Sequence, residues 1–143
     1  MRANACLFVA KFDLQSWKGK SPVSKRILII EDEDEFFFFY NIMLEGSDYI
    51  VERACNGNEA FDKINENKPN LIVLDLLLDQ MTGEEFLNRL KSNGAYTDIP
   101  VIIASSFSPR SCKPILELYP HLGFLEKPFT QEQLLAEITA RVK

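Results

Sequence analysis

Short apolar runs rich in branched residues alternate along this chain with longer mixed stretches. Strands are expected at 26–31, 49–54, 71–75, 100–104 and 122–126. Runs such as ILII (Ile27–Ile30) and LIVLD (Leu71–Asp75) lack the period-two alternation of a half-solvated strand. They read as strands buried on both faces, as in the centre of a parallel sheet. Helices are expected at 33–45, 57–66, 83–93, 110–118 and 131–142. Their starts carry chemical signals. Thr82 with Glu85 and Thr130 with Gln133 have the spacing of capping boxes, and Asn56 with Glu59 is a looser version. Ser108 precedes Pro109, a residue suited to a first helical position. Strands alternating with helices predict an α/β fold, with a five-stranded parallel sheet, right-handed crossovers and helices on both faces.

Four of the runs end in chemically active side chains. The first runs into Glu31 and Asp32, the third closes on Asp75, the fourth on Ser105 and Ser106, and the fifth delivers Lys127, Pro128 and Phe129. In open α/β sheets the carboxyl ends of the strands line the ligand crevice. Any one such residue could be a solvated loop residue. Four together point to a site built of two acids, a third acid, a hydroxyl and an amine.

Together these residues carry a family resemblance: from Lys25 to Lys143 the chain resembles the receiver domain of bacterial response regulators. The motifs are the acid pair Glu31 and Asp32, the acceptor Asp75, the hydroxyl Ser105, and Lys127 in KPF. Phe124, three residues before the lysine, matches the switch aromatic of the family. Asp79 departs from the family pattern, which usually has proline there, and Ser105 replaces the commoner threonine. The resemblance implies a doubly wound, flavodoxin-like sheet of order 2-1-3-4-5. It also implies a phosphoacceptor signalling domain, not a turnover enzyme, that takes its phosphoryl group from a histidine kinase or phosphotransfer protein. A cis Lys127–Pro128 peptide and a remodelled face of the fourth helix, fifth strand and fifth helix, open to a downstream protein or a second copy, follow from the same source.

The chemistry of such a transfer assigns the roles. Asp75 is the nucleophile, because a carboxylate can attack phosphorus and leave a labile acyl phosphate. A carboxylate and a phosphoryl group repel each other, so Mg²⁺ or Mn²⁺ is expected between them. Asp32 and Asp75 supply oxygen ligands with Glu31 nearby, and the resemblance adds the backbone carbonyl of Leu77. Lys127 neutralises phosphoryl charge and Ser105 donates a hydrogen bond. Leu77 and Phe107, two residues beyond Asp75 and Ser105, are expected to shield the phosphoaspartate from water.

Composition narrows the field further. The chain has 143 residues, enough for one ordinary domain. Its net charge of −5 disfavours direct nucleic-acid binding. No apolar stretch approaches transmembrane length, which suits a cytoplasmic bacterial protein. Cys6, Cys55 and Cys112 lack metal-site spacing, and inert thiols are expected. Residues 1–24 form an expected extension, disordered or loosely docked, before a receiver at 25–143. The chain stops at Lys143 with no output domain, so a stand-alone receiver is expected.

Rival readings are weaker. A haloacid-dehalogenase-like phosphatase places a second acid two residues after its nucleophile, where this chain has Leu77. A scaffold-only pseudo-receiver usually loses an acid or the lysine, and a flavin-binding flavodoxin-like protein would not place EDEDE after its first strand. The run FFFFY, Phe36–Tyr40, must wrap a helix axis at about 100° per residue, so some rings are expected to face solvent as a docking patch for the kinase.

Overall fold

The apolar runs become the five strands of one parallel sheet in a computed structural model that describes residues 24–143. The strands are β1 (Arg26–Ile30), β2 (Ile50–Ala54), β3 (Leu71–Asp75), β4 (Val101–Ser105) and β5 (Gly123–Glu126). Helices α1 (Asp34–Leu44), α2 (Gly57–Glu66), α3 (Gly83–Ser92), α4 (Lys113–Leu118) and α5 (Gln131–Arg141) alternate with them. The order is β2-β1-β3-β4-β5, the doubly wound arrangement expected. The extension proposed for residues 1–24 lies, except for Ser24, outside the described residues.

Alternate residues of each strand feed opposite faces of the sheet. Leu28, Ile30, Ile72, Leu74 and Ile103 pack with Ala60 and Ile64 of α2, with Phe86, Leu87 and Leu90 of α3, and with Ile115 of α4. Ile27, Ile29, Leu71, Val73 and Ile102 pack with Phe37, Tyr40 and Leu44 of α1 and Leu134 and Ile138 of α5. Both layers are buried, which explains why the central strands read as continuous apolar runs. Each fully buried Leu or Ile contributes about 1.5–3 kcal/mol over its exposed state.

The helix ends show where local signals held and where they gave way. Thr130 and Gln133 form the full capping box, and the Asn56 side chain accepts from the Glu59 N–H. Thr82 accepts from the Glu85 N–H, but only half a box forms because the Glu85 carboxylate binds Arg89 four residues on. The fourth helix starts at Lys113, not at 110. Ser108 instead accepts from the Ser111 N–H in a preceding turn, and Pro114 takes the early helical place expected of Pro109. Cys112 is a buried free thiol, whereas Cys55 is disulfide-bonded, which corrects the expectation of three inert thiols. No helix among the described residues is long and apolar enough to cross a membrane.

The loop between β3 and α3 is tightly shaped. The Met81 N–H donates to the Asp79 carbonyl at 2.8 Å across Gln80, whose φ is 71°. This is a γ-turn in the sparsely populated positive-φ form. Met81, buried beside Phe86, anchors it. At the loop's end the Gly83 N–H donates to the Leu76 carbonyl at 3.1 Å. A Cβ on Gly83 would sit 2.5 Å from the Asp75 carbonyl oxygen, so only glycine lets α3 approach the strand end this closely.

Candidate functional site

The strand order places four of the chemically active termini side by side, on β1, β3, β4 and β5. Glu31 and Asp32 follow β1, Asp75 ends β3, Ser105 ends β4, and Lys127 follows β5. Glu31 and Ser105 are fully buried, Asp75 is 4% exposed, and Asp32 is half-buried. One carboxylate oxygen from each of Glu31, Asp32 and Asp75 lies within 4.8 Å of the others. Such a cluster of hard oxygen donors suits Mg²⁺ or Mn²⁺.

Lys127 reaches into this cluster. Its Nζ donates to Glu31 Oε1 at 2.8 Å and stands 3.5 Å from Asp75 Oδ2. The ammonium therefore leans toward Glu31. Two of the three carboxylates, Glu31 and Asp75, share this lysine, which leaves excess negative charge in a largely buried crevice. Burial pushes the Glu31 carboxyl up to about 7; the Lys127 hydrogen bond opposes this and the Asp75 charge adds to it. Tyr40, buried beneath, is driven well above the ordinary tyrosine range by burial and then by the charges of Glu31 and Asp75.

Backbone amides hold the other groups. Asp75 Oδ1 accepts from the Leu77 N–H at 3.0 Å, and the Ser105 hydroxyl accepts from the Phe107 N–H at 3.0 Å. Both therefore sit in side-chain-capped turns that fix their direction. Burial pushes up the Cys112 thiol, with the Ser105 hydroxyl acting against that shift. The Leu77 and Phe107 side chains are 55% and 46% exposed at the rim. Phe124 pairs in register with Ile103, two residues before Ser105, so Phe124 and Ser105 share one face of the sheet. Phe124 is half-buried against the α2–α3–α4 core layer. The Lys127–Pro128 peptide is cis, and the Lys127 N–H donates to the Ser105 carbonyl at 2.8 Å.

Sequence reasoning missed Arg53. Its guanidinium is buried on β2, with Nε donating to the Glu31 carbonyl at 2.9 Å and Nη1 paired to Asp34 at 2.7 Å. Arg53 thus fixes the turn that carries Glu31 and Asp32. The signal was a charged residue between the apolar Val51 and Ala54 of a strand.

The family sequence model for the "Response regulator receiver domain" matches residues 27–139. The response regulator ArlR of Staphylococcus saprophyticus is 32% identical over 118 residues, covering 82% of this chain and 52% of that protein. The polar-differentiation response regulator DivK of Brucella anthropi is 27% identical, covering 80% of this chain and 93% of that protein. The chain spans about half the length of several curated relatives it matches. In fold it resembles the receiver domain of the sensor histidine kinase PA1611 of Pseudomonas aeruginosa, with a TM-score of 0.74 at 18% identity over 83% of this chain and 98% of that one. That domain holds a magnesium ion in its active-site cleft.

Proposed function

The chain belongs to the response regulator receiver family, and from that premise we propose that Asp75 is its phosphoacceptor. The contact of Lys127 with both Glu31 and Asp75 carries this reading, because it assembles acceptor, acid cluster and neutralising amine at one sheet edge. A carboxylate oxygen of Asp75 attacks phosphorus, the bond from phosphorus to the donor breaks, and the donor leaves with its electron pair. With acetyl phosphate as donor the leaving group is acetate, and no proton need move.

Asp32 and Asp75 would hold Mg²⁺, or Mn²⁺, with Glu31 close by and the Leu77 carbonyl as a further oxygen ligand. The metal supplies positive charge between two groups that otherwise repel. Lys127 moves its ammonium toward the phosphoryl oxygens, and the Ser105 hydroxyl turns to donate to one of them. This leaves space on the face that Ser105 shares with Phe124, into which the ring moves. The face of α4, β5 and α5 then changes shape for a protein target or a second copy. The physiological donor is a histidine kinase or phosphotransfer protein. All three acids and the lysine are present at one sheet edge, with Lys127 in contact with Glu31 and Asp75, which favours phosphoacceptance over a scaffold-only role.

The test is incubation with acetyl phosphate and Mg²⁺ followed by intact-mass analysis. Wild-type protein should gain one phosphoryl group, and Asp75→Asn or excess chelator should abolish the gain. Undiminished labelling of Asp75→Asn would overturn the assignment.

A further inference from the structure

The aromatic run on α1 divides three ways. Phe37 and Tyr40 are core residues, while Phe38 and Phe39 are 60% and 50% exposed. Phe36 does neither job. It is half-buried, and Lys127 Nζ lies over its ring, 3.9 Å from the centroid. The ring is held on edge by its neighbours, Tyr40 at 5.3 Å and 66° and Phe129 at 5.8 Å and 65°. Its face is thereby presented to the ammonium.

The chemistry of this contact differs from that of the lysine's other partners. Glu31 binds the ammonium through a hydrogen bond, with a carboxylate that competes with any incoming phosphoryl oxygen. A ring face attracts a cation through its quadrupole and accepts no strong, directed hydrogen bond. It also keeps water from the 9%-exposed lysine side chain. An aliphatic side chain could fill the same volume without the attraction. Resting on the reading of Asp75 as phosphoacceptor, we propose that Phe36 is a positioning residue: its ring face holds the Lys127 ammonium beside Asp75, leaving the ammonium's remaining hydrogens for the phosphoryl group.

Full-length protein is assayed with acetyl phosphate and Mg²⁺, and the rate of phosphoryl gain is read by mass. Cation–π contacts contribute about 0.5–2 kcal/mol, so Phe36→Leu should slow labelling roughly 2- to 30-fold. Phe36→Trp, which keeps a π face, should restore most of the rate. Shape is isolated from electrostatics by placing mono-, di- and trifluorinated phenylalanine at position 36. These analogues preserve the ring while progressively weakening its quadrupole, and the rate should fall in step with fluorination. A flat fluorine series, or a Leu variant as fast as wild type, overturns the inference while the Asp75 assignment stands. If wild-type protein takes no phosphoryl group on Asp75, that assignment and this inference fall together.

Discussion

Replacing Glu31 with Gln should reverse part of the protein's response to pH. Glu31 is fully buried and its carboxyl is pushed from the ordinary 4.5 to about 7, first by burial. In the unfolded chain the same carboxyl ionises near 4.5. Between these values the folded state binds the extra proton, so stability falls as pH rises. The gap corresponds to about 3 kcal/mol, at about 1.4 kcal/mol per pH unit. That contribution is present below pH 4.5 and lost as pH passes 7. The amide introduced by Glu31→Gln cannot ionise, so the variant should gain about 3 kcal/mol relative to wild type between about pH 4.5 and about pH 8. Urea unfolding of both proteins with chelator, at several pH values across this window, measures the difference directly. A difference that stays constant within about 1 kcal/mol, or that moves against the variant as pH rises, would refute the burial-driven shift.

Three further outcomes follow from the geometry. Gly83→Ala forces a Cβ to within 2.5 Å of the Asp75 carbonyl oxygen, so it should cost about 1–3 kcal/mol in urea unfolding and slow acetyl phosphate labelling; a neutral effect on both would show that the backbone yields freely. Small polar residues at both Leu77 and Phe107, the exposed rim positions, should speed loss of the phosphoryl group after the donor is removed, and an unchanged or slower decay would count against steric shielding. Serine in place of Phe38 and Phe39, the outward rings of α1, should slow transfer from a phosphorylated kinase while acetyl phosphate labelling stays intact. Equal slowing with both donors would indicate a damaged fold instead.

The strands were legible because burial on both faces writes itself as an uninterrupted apolar run, as in Ile27–Ile30 and Leu71–Leu74. The gathering of Glu31, Asp32, Asp75, Ser105 and Lys127 at one sheet edge was legible because each lies at the end of such a run, where the chain must leave the sheet. What remained hidden depends on distant partners. The start of α4 slipped because the Ser108 hydroxyl found a turn amide before any helix began. Glu85 was expected to close a capping box, yet an arginine one turn along competed for its carboxylate. Arg53 was passed over, since nothing local shows that the Glu31 carbonyl accepts from its Nε. The docking of Phe36 on Lys127 and the leaning of that lysine toward Glu31 are likewise properties of the packed sheet.

The bond from Lys127 to Glu31 joins residues 96 positions apart. Closing a loop of this length costs entropy before the contact rewards it. On a ribosome, Glu31 emerges long before its counter-ion and must wait for β5. A chain interrupted after β4 would hold Glu31 and Asp75 but not the Lys127 ammonium that contacts both. The Lys127–Glu31 contact therefore reports that β5 has taken its place at the sheet's edge.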